Sequence, residues 1–351
     1  MKKGHTISEI ARLSGTSKAT VSRVLNNPKI VSEGVRKRIL AIMEEIGYTP
    51  NPFAQRLSGV STWGIALFVF DIINPFFALM VRQIGRLTME RRLALTVCDT
   101  ENDEEKEKLY LDYLLENRIG GIIFTEGISL SIVDEAKKRV PIVLVDQHYN
   151  PDSVPEVTSD NFTGARQATE YLIQLNHRRI AFVAGPSGWP SAKERLRGYR
   201  AALETNGIEY DPGLVFEGDF RLEAGLRAFE YFLGLPQWPT AVFCANDQMA
   251  LGALYKAQAM NLAVPNDVSI VGFDAIPHLG FGNVRLTTVC QDIPRLCSSA
   301  VGLLMRQLRG EETQERIVVP TRLVVGETCK KLTLVPPDGG TAQTQQNGGL
   351  R

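Results

Sequence analysis

No apolar stretch in the 351 residues approaches the roughly 18 that cross a bilayer, and the first 17 residues lack the apolar segment of a secretory leader. The sequence therefore predicts a cytoplasmic protein with no membrane partner. Cysteine is scarce: Cys98, Cys244, Cys290, Cys297 and Cys329 are an odd set with no C-x-x-C spacing and no nearby histidine pair. Neither a disulfide framework nor a zinc site is indicated, and reduced, mostly buried thiols are expected. Histidine is scarcer still, at four residues, none beside a plausible nucleophile. With no G-x-S-x-G, no G-x-x-x-x-G-K, no H-E-x-x-H and no G-x-G-x-x-G after a strand, the chain carries no recognisable catalytic set. No enzyme activity, cofactor or metal is implied.

What is present is a globular composition, 44% apolar and 22% charged, over a length that calls for two or three folding units. The net charge of zero hides an asymmetry. Residues 1–59 hold ten Lys/Arg against four Asp/Glu, leaving 29 against 35 for the remainder. Such a split suggests a small basic module that meets a polyanion, joined to an acidic body that does not.

The pattern inside the basic segment is specific. Thr6 followed by Glu9 forms a capping-box signature ahead of Ile7, Ile10, Ala11 and Leu13, whose spacing predicts an apolar stripe on a short helix. Gly15 permits a tight turn, and Ser17 can cap a second helix over 18–25. In that helix Val21, Val24 and Leu25 face inward, leaving Lys18, Ala19, Ser22 and Arg23 outward. Ser32 opens a third helix with Val35, Ile39, Ile42 and Ile46 on one face, and Gly47 supplies its stop. Helix, glycine turn, helix with a basic outer face is the arrangement that lays its second helix in a major groove. A three-helix interaction module without nucleic acid has the same helices.

The runs Thr6-Ile7-Ser8-Glu9-Ile10-Ala11, Ser17-Lys18-Ala19-Thr20-Val21-Ser22-Arg23-Val24-Leu25-Asn26 and Gly47-Tyr48-Thr49-Pro50-Asn51 resemble the headpiece of the lactose-repressor (LacI) family. The resemblance continues to about residue 335. It implies double-stranded operator DNA as a partner, bound by a homodimer. Lys18, Ala19 and Arg23 would face base edges, with Ser17, Thr20, Ser22 and Asn26 placed for bases or phosphates.

The segment from Asn51 to Ser58 reads as a brief helix with Asn51 as cap and Pro52 at its first position. Isolated helices under about 12 residues are marginal, so it needs a partner to form. The alternative is a plain linker. By resemblance it is the hinge helix, which pairs with its dimer mate over the minor groove while Leu57 wedges into a base step. Ala54, three residues before Leu57, is small enough for that close pairing.

Beyond Thr62 apolar runs alternate with amphipathic stretches, an α/β pattern of buried parallel strands with covering helices. Strands are expected at 64–70, 94–98, 121–125, 142–146, 179–184, 241–244 and 269–273. Helices are expected at 76–92, 104–118, 163–175, 193–206, 223–233 and 249–260. Several strands end in a polar residue, as at Asp71, Asp99, Asp146, Asn246-Asp247 and Asp274. Two facing lobes would converge such groups on one cleft, although each acid taken singly serves equally as a helix N-cap.

The resemblance implies a two-lobed body, similar to periplasmic sugar-binding proteins, of two doubly wound parallel sheets with crossovers near 160, 290 and 320. The implied division is a helix-turn-helix headpiece at 1–50, a hinge helix and linker at 51–61, an effector-binding and dimerisation body at 62–335 and a disordered tail at 336–351. Lobe one would take 62–160 and 293–320, including a returning helix over 295–309. Lobe two would take 161–292 and 321–335. Arg195, Asn246 and Asp274 occupy the family's ligand-binding positions, with Asp146 and Ser191 beside them. Phe77, Trp189 and Phe220 are candidate aromatic walls, for which core packing is the competing role. In purine-responsive relatives a basic residue stands at the place of Trp189.

An exported sugar-binding protein would share the lobes but lack the headpiece. The expected function is therefore a ligand-gated regulator, most simply a repressor, that binds a pseudo-palindromic operator and responds to a small sugar or sugar derivative. The alternative is a corepressor-dependent regulator that senses a purine or phosphorylated metabolite. The Gly-, Gln- and Pro-rich tail lacks the leucine heptads of relatives that tetramerise, so a dimer is expected.

Overall fold

The structure is a computed structural model that describes residues 6–26, 30–48, 64–147, 154–277, 280–281 and 284–333. Asn51, Ala54 and Leu57, with the rest of the hinge and the tail from 336, lie outside the described residues, as does the side chain of Asn26. The chain divides into two compact units, Met1–Trp63 and Gly64–Arg351.

The first unit is built on α1 (Ile7–Ser14), α2 (Lys18–Asn26) and α3 (Glu33–Glu45). Thr6 caps α1 by accepting the Glu9 N–H at 3.3 Å, and Gly15 ends it at φ 65°, where a side chain would be strained. Ile10, Ala11, Val21, Val24, Ile39 and Met43 form a small core that the three helices share. Leu13, expected on the apolar stripe, is exposed, and Ser14 takes the buried position by donating its hydroxyl to the Ile10 carbonyl at 2.7 Å.

The second unit contains two six-stranded sheets. The first sheet runs β13-β5-β4-β3-β1-β2. Its strands are β1 (Gly64–Val69), β2 (Ala94–Asp99), β3 (Gly121–Thr125), β4 (Ile142–Val145), β5 (Glu156–Ser159) and β13 (Arg316–Val319), all parallel. The second runs β14-β12-β9-β8-β6-β7. It comprises β6 (Ile180–Ala184), β7 (Val215–Glu217), β8 (Ala241–Cys244), β9 (Ser269–Asp274), β12 (Thr287–Cys290) and β14 (Arg322–Val324), with β14 alone antiparallel. A two-stranded ribbon, β10 (Gly280–Phe281) and β11 (Val284–Arg285), stands apart.

Alternation along the strands fixes which helices cover which face. In β1, Ile65, Leu67 and Val69 share a core with Met80 and Ile84 of α4 (Pro75–Glu90). Ala66 and Phe68 point the other way, onto Leu111 and Leu114 of α5 (Glu104–Glu116) and Ile132 of α6 (Leu130–Ala136). The second sheet is covered by α7 (Asn161–Gln174), α8 (Pro190–Thr205), α9 (Leu222–Leu233) and α10 (Asp247–Ala259). Gly225 of α9 and Gly252 of α10 let those helices touch backbone to backbone, since a Cβ on either would overlap a carbonyl of the other. The final helix, α11 (Ile293–Leu308), packs on α4 and the first sheet.

Three strand ends thus connect the sheets: β5 leads into α7, β12 into α11, and β13 into β14. The carboxyl ends of β1, β3 and β4 in one lobe face those of β8 and β9 in the other, which is where a cleft forms.

Candidate functional site

On the first unit, Lys18, Ala19 and Arg23 are exposed along one side of α2, while Val21 and Val24 are buried on the other. Ser17 accepts the Thr20 N–H at 3.1 Å and lies 2.9 Å from its hydroxyl, so this pair fixes the first turn of the helix. Thr20 and Ser22 are half-buried. The helix presents two cations and no carboxylate from its own sequence.

On the second unit, a narrow cleft with a cavity of about 30 Å³ lies between the two sheets. All eight effector-binding candidates, Phe77, Asp146, Trp189, Ser191, Arg195, Phe220, Asn246 and Asp274, line it. Arg195 comes from α8 and is buried. Its guanidinium donates to Asn161 Oδ1 at 2.8 Å and to the Ala245 carbonyl, and its Cζ lies over the Phe273 ring, 3.9 Å from the centroid. Asp274 closes β9 at φ 121°, Asp146 follows β4 at φ 53° and Phe220 precedes α9 at φ 63°. Three non-glycine residues at positive φ around one cavity are strain held by the surrounding fold, of the kind that gathers at binding sites.

Two first-lobe elements reach across. The Glu126 carboxylate accepts the Ser191 N–H at 2.7 Å and the Ser191 hydroxyl at 2.5 Å, joining the end of β3 to the first turn of α8. Trp189 packs edge-on against Phe70, 4.6 Å between centroids, over Gly127, where a Cβ would come within 2.7 Å of the indole. An exposed ion pair, Arg221 to Asp71 at 3.1 Å, spans the same edge of the cleft.

Residues 6–51 match the sequence model of bacterial regulatory proteins of the lacI family, and residues 169–329 match that of a periplasmic binding protein-like domain. The HTH-type transcriptional repressor CytR of Escherichia coli (strain K12) is 36% identical over 309 residues, covering 87% of this chain and 90% of CytR. The chain belongs to the LacI family. Among solved structures, the Lac repressor dimer bound to operator and the anti-inducer ONPF aligns with a TM-score of 0.82 at 28% identity, over 93% of this chain and 100% of that one. The complex of the transcriptional regulator CelR with cellobiose aligns at 0.70 and 32%, over 92% and 99%. This LacI-family chain is accordingly a DNA-binding regulator of transcription and not an enzyme.

The electrostatics of its cleft are dominated by buried acid. Burial raises the Glu126 carboxyl to about 7, with repulsion from Asp146 adding to the shift and the two Ser191 bonds opposing it. Asp274 also rises to about 7 through burial, against the Arg195 charge and the Gln291 amide, which donates to its Oδ1 at 2.6 Å. Asp146 is raised by burial too, although Ser159 N–H at 2.8 Å and the Thr158 hydroxyl at 2.9 Å both converge on its Oδ1. Asn246 has a double role: its Oδ1 caps α10 through the Met249 N–H at 2.9 Å and its amide donates to the Phe220 carbonyl at 2.8 Å, leaving one N–H for another acceptor.

Several lining residues escaped the sequence reading. Glu126 follows the apolar run of β3 directly, so the strand-end rule applied to Asp146 would have found it. Gln291 was hidden because β12, Thr-Thr-Val-Cys, carries no apolar run. Phe70 and Asn74 lie on the loop after β1, where Asn74 caps α4 through the Phe76 N–H at 3.1 Å.

Proposed function

We propose that the chain is a repressor that binds a pseudo-palindromic operator as a homodimer and is gated by a small, hydroxyl-rich ligand, a sugar or sugar derivative, held between its two lobes. The carrying observation is the convergence of Arg195, Asn246 and Asp274 from one lobe with Phe77, Glu126 and Asp146 from the other around a single cavity. Carboxylates accept from hydroxyls, guanidinium and amide groups donate to them, and aromatic faces cover the C–H surface of a sugar ring. Three buried carboxylates repel a phosphate, which weighs against a phosphorylated metabolite. The cellobiose complex of CelR supports the sugar assignment.

Ser17, Lys18, Ala19, Thr20, Ser22, Arg23 and Asn26 form the DNA-reading surface of this proposal, and Asn51, Ala54 and Leu57 its hinge. A ligand that bridges the lobes binds their closed arrangement better and shifts the equilibrium by its differential affinity. The protein works in the bacterial cytoplasm, where its operator is. A thermal-shift screen of the full chain against sugars, sugar phosphates and nucleobases tests the ligand assignment, because a bound ligand raises stability as RT ln(1 + [L]/Kd). Stabilisation by a phosphate ester or a nucleobase, and by no sugar, would overturn it. Operator titration with the stabilising sugar then tests the gating.

A further inference from the structure

The cleft holds three acids against one base. Glu126, Asp146 and Asp274 are each more than nine-tenths buried and line one cavity, with Arg195 as the sole basic side chain among its described lining residues. Arg195 already gives two of its five N–H groups to Asn161 and the Ala245 carbonyl, and its guanidinium lies over the Phe273 ring. Hydrogen-bonding capacity is unbalanced in the same direction. The Gln291 amide is turned onto Asp274, and the Ser191 N–H and hydroxyl onto Glu126, so these donors are spent on the protein's own carboxylates. Each Glu126 oxygen receives one bond from Ser191 and has capacity for a second.

The walls match this imbalance. Phe77, Phe70, Trp189 and Phe220 form a continuous chain of rings, with successive centroids 5.0, 4.6 and 5.6 Å apart. Ring faces attract cations, and an aromatic enclosure beside a carboxylate is the usual means of holding an ammonium group. A ligand rich only in hydroxyls leaves the clustered carboxylates repelling one another, whereas one positive charge offsets that repulsion and supplies up to three further donors.

We infer that the ligand carries an ammonium group as well as hydroxyls, as an amino sugar does, and that Glu126 selects for that group. This rests on the sugar reading above and narrows it. Glu126 is suited to the task because it lies on the first lobe, opposite the Arg195 and Asp274 pair that receives hydroxyls, so one ligand can engage both ends only when the lobes are closed.

The test is calorimetric titration of the full chain at pH 7 with glucosamine, galactosamine and mannosamine, each beside its neutral parent hexose and its N-acetyl derivative. The expected result is at least one amine bound about tenfold or more tighter than both its neutral parent and its N-acetyl form, the scale of a hydrogen-bonded charge pair. Glu126→Gln should bring the amine to within about threefold of the neutral sugar, with a single cooperative melting transition and retained binding of the neutral sugar as the folding controls. A neutral hexose that binds as tightly as its amine overturns the inference and leaves the sugar reading standing. An amine preference that survives intact in the Gln variant removes Glu126 from the role. No binding by any of the nine compounds overturns the inference, and stabilisation by nucleobases or phosphate esters instead overturns the sugar reading with it.

Discussion

Glu126 and Ser191 hold the two lobes together through a pair of hydrogen bonds, from the serine N–H and from its hydroxyl, onto one buried carboxylate. The bonds sit at the first turn of α8, where free N–H groups and the helix dipole favour negative charge. The contact between the lobes is therefore stabilised by the protein's own acid. Ser191→Ala removes the hydroxyl and leaves a buried carboxylate with one donor fewer, at a cost of about 1–3 kcal/mol. Chemical denaturation should show that loss, and an unchanged midpoint and slope would show that the contact contributes nothing.

The same carboxyl predicts a pH dependence whose sign follows from its shift. Glu126 titrates at about 7 in the folded chain against an ordinary 4.5, so between those values the folded state holds a proton that the unfolded state has released. Its contribution then declines as pH rises from about 4.5 to about 7. Glutamine does not titrate. The stability of the parent minus that of Glu126→Gln should therefore fall across this window, while the contributions of Asp274 and His177 cancel in the subtraction. A flat difference would remove Glu126 as a group titrating in the cleft.

His177 pins the end of the described chain to the second lobe. Its ring is buried, with Nδ1 2.9 Å from the Thr240 hydroxyl and Nε2 3.1 Å from the Lys330 carbonyl, beside the Leu332 N–H bonded to the Leu175 carbonyl at 2.8 Å. The neutral ring satisfies both contacts, with Thr240 donating to Nδ1 and Nε2–H donating to Lys330. Burial lowers its pKa, so the unfolded state takes up the proton first and this contribution is lost as pH falls below the ordinary 6.5. In His177→Ala the Leu332 amide should exchange with solvent markedly faster than in the parent. Equal exchange rates would mean that the backbone bond alone anchors this segment.

Legibility in the sequence followed the strength of the apolar signal. The stretches 64–69, 121–124 and 241–244 are unbroken apolar runs because both faces of a parallel sheet are covered, and their burial matches. Strand β5 is Glu-Val-Thr-Ser, fully buried yet polar, and only its pairing with β4 and β13 makes it a strand. The seven-residue helix α6 is too short to display a period. Asp146 and Asp274 were recognisable as polar ends of apolar strands. The bonds from Glu126 to Ser191, and from Gln291 to Asp274, join residues 65 and 17 positions apart, and only the folded chain reveals them.

On the DNA side, Arg23 is the exposed cation in the last turn of α2. If its guanidinium reads guanine, Arg23→Ala costs about 1–3 kcal/mol on the preferred operator and relaxes base preference at one position of each half-site. A phosphate contact would instead weaken all sequences alike and reduce the salt dependence. Selection from random DNA by parent and variant separates these outcomes. A preferred site without two-fold symmetry would count against the dimer.

Asp274 stands where the cavity meets the segments that connect the lobes. Its carboxylate receives the Gln291 amide at 2.6 Å, and Gln291 in turn lies 2.5 Å from the Ser159 hydroxyl, so the chain of contacts runs from the cavity to two segments that connect the lobes. A ligand hydroxyl that bonds Asp274 is therefore coupled to the elements that must bend on closure. Alanine is a poor test here, because φ 121° strains it for reasons unrelated to ligand. Asparagine keeps the shape and tolerates unusual backbone better, while losing the charge and one acceptor. Asp274→Asn should bind operator without ligand to within about 1 kcal/mol of the parent, the scale of a modest coupling, and should lose most of its response to the ligand. Titrating labelled operator with both proteins, at several ligand concentrations, reads the two quantities separately. A full response in the variant would take Asp274 out of the site, and loss of operator binding without ligand would make its role that of a structural support for the crossover segments.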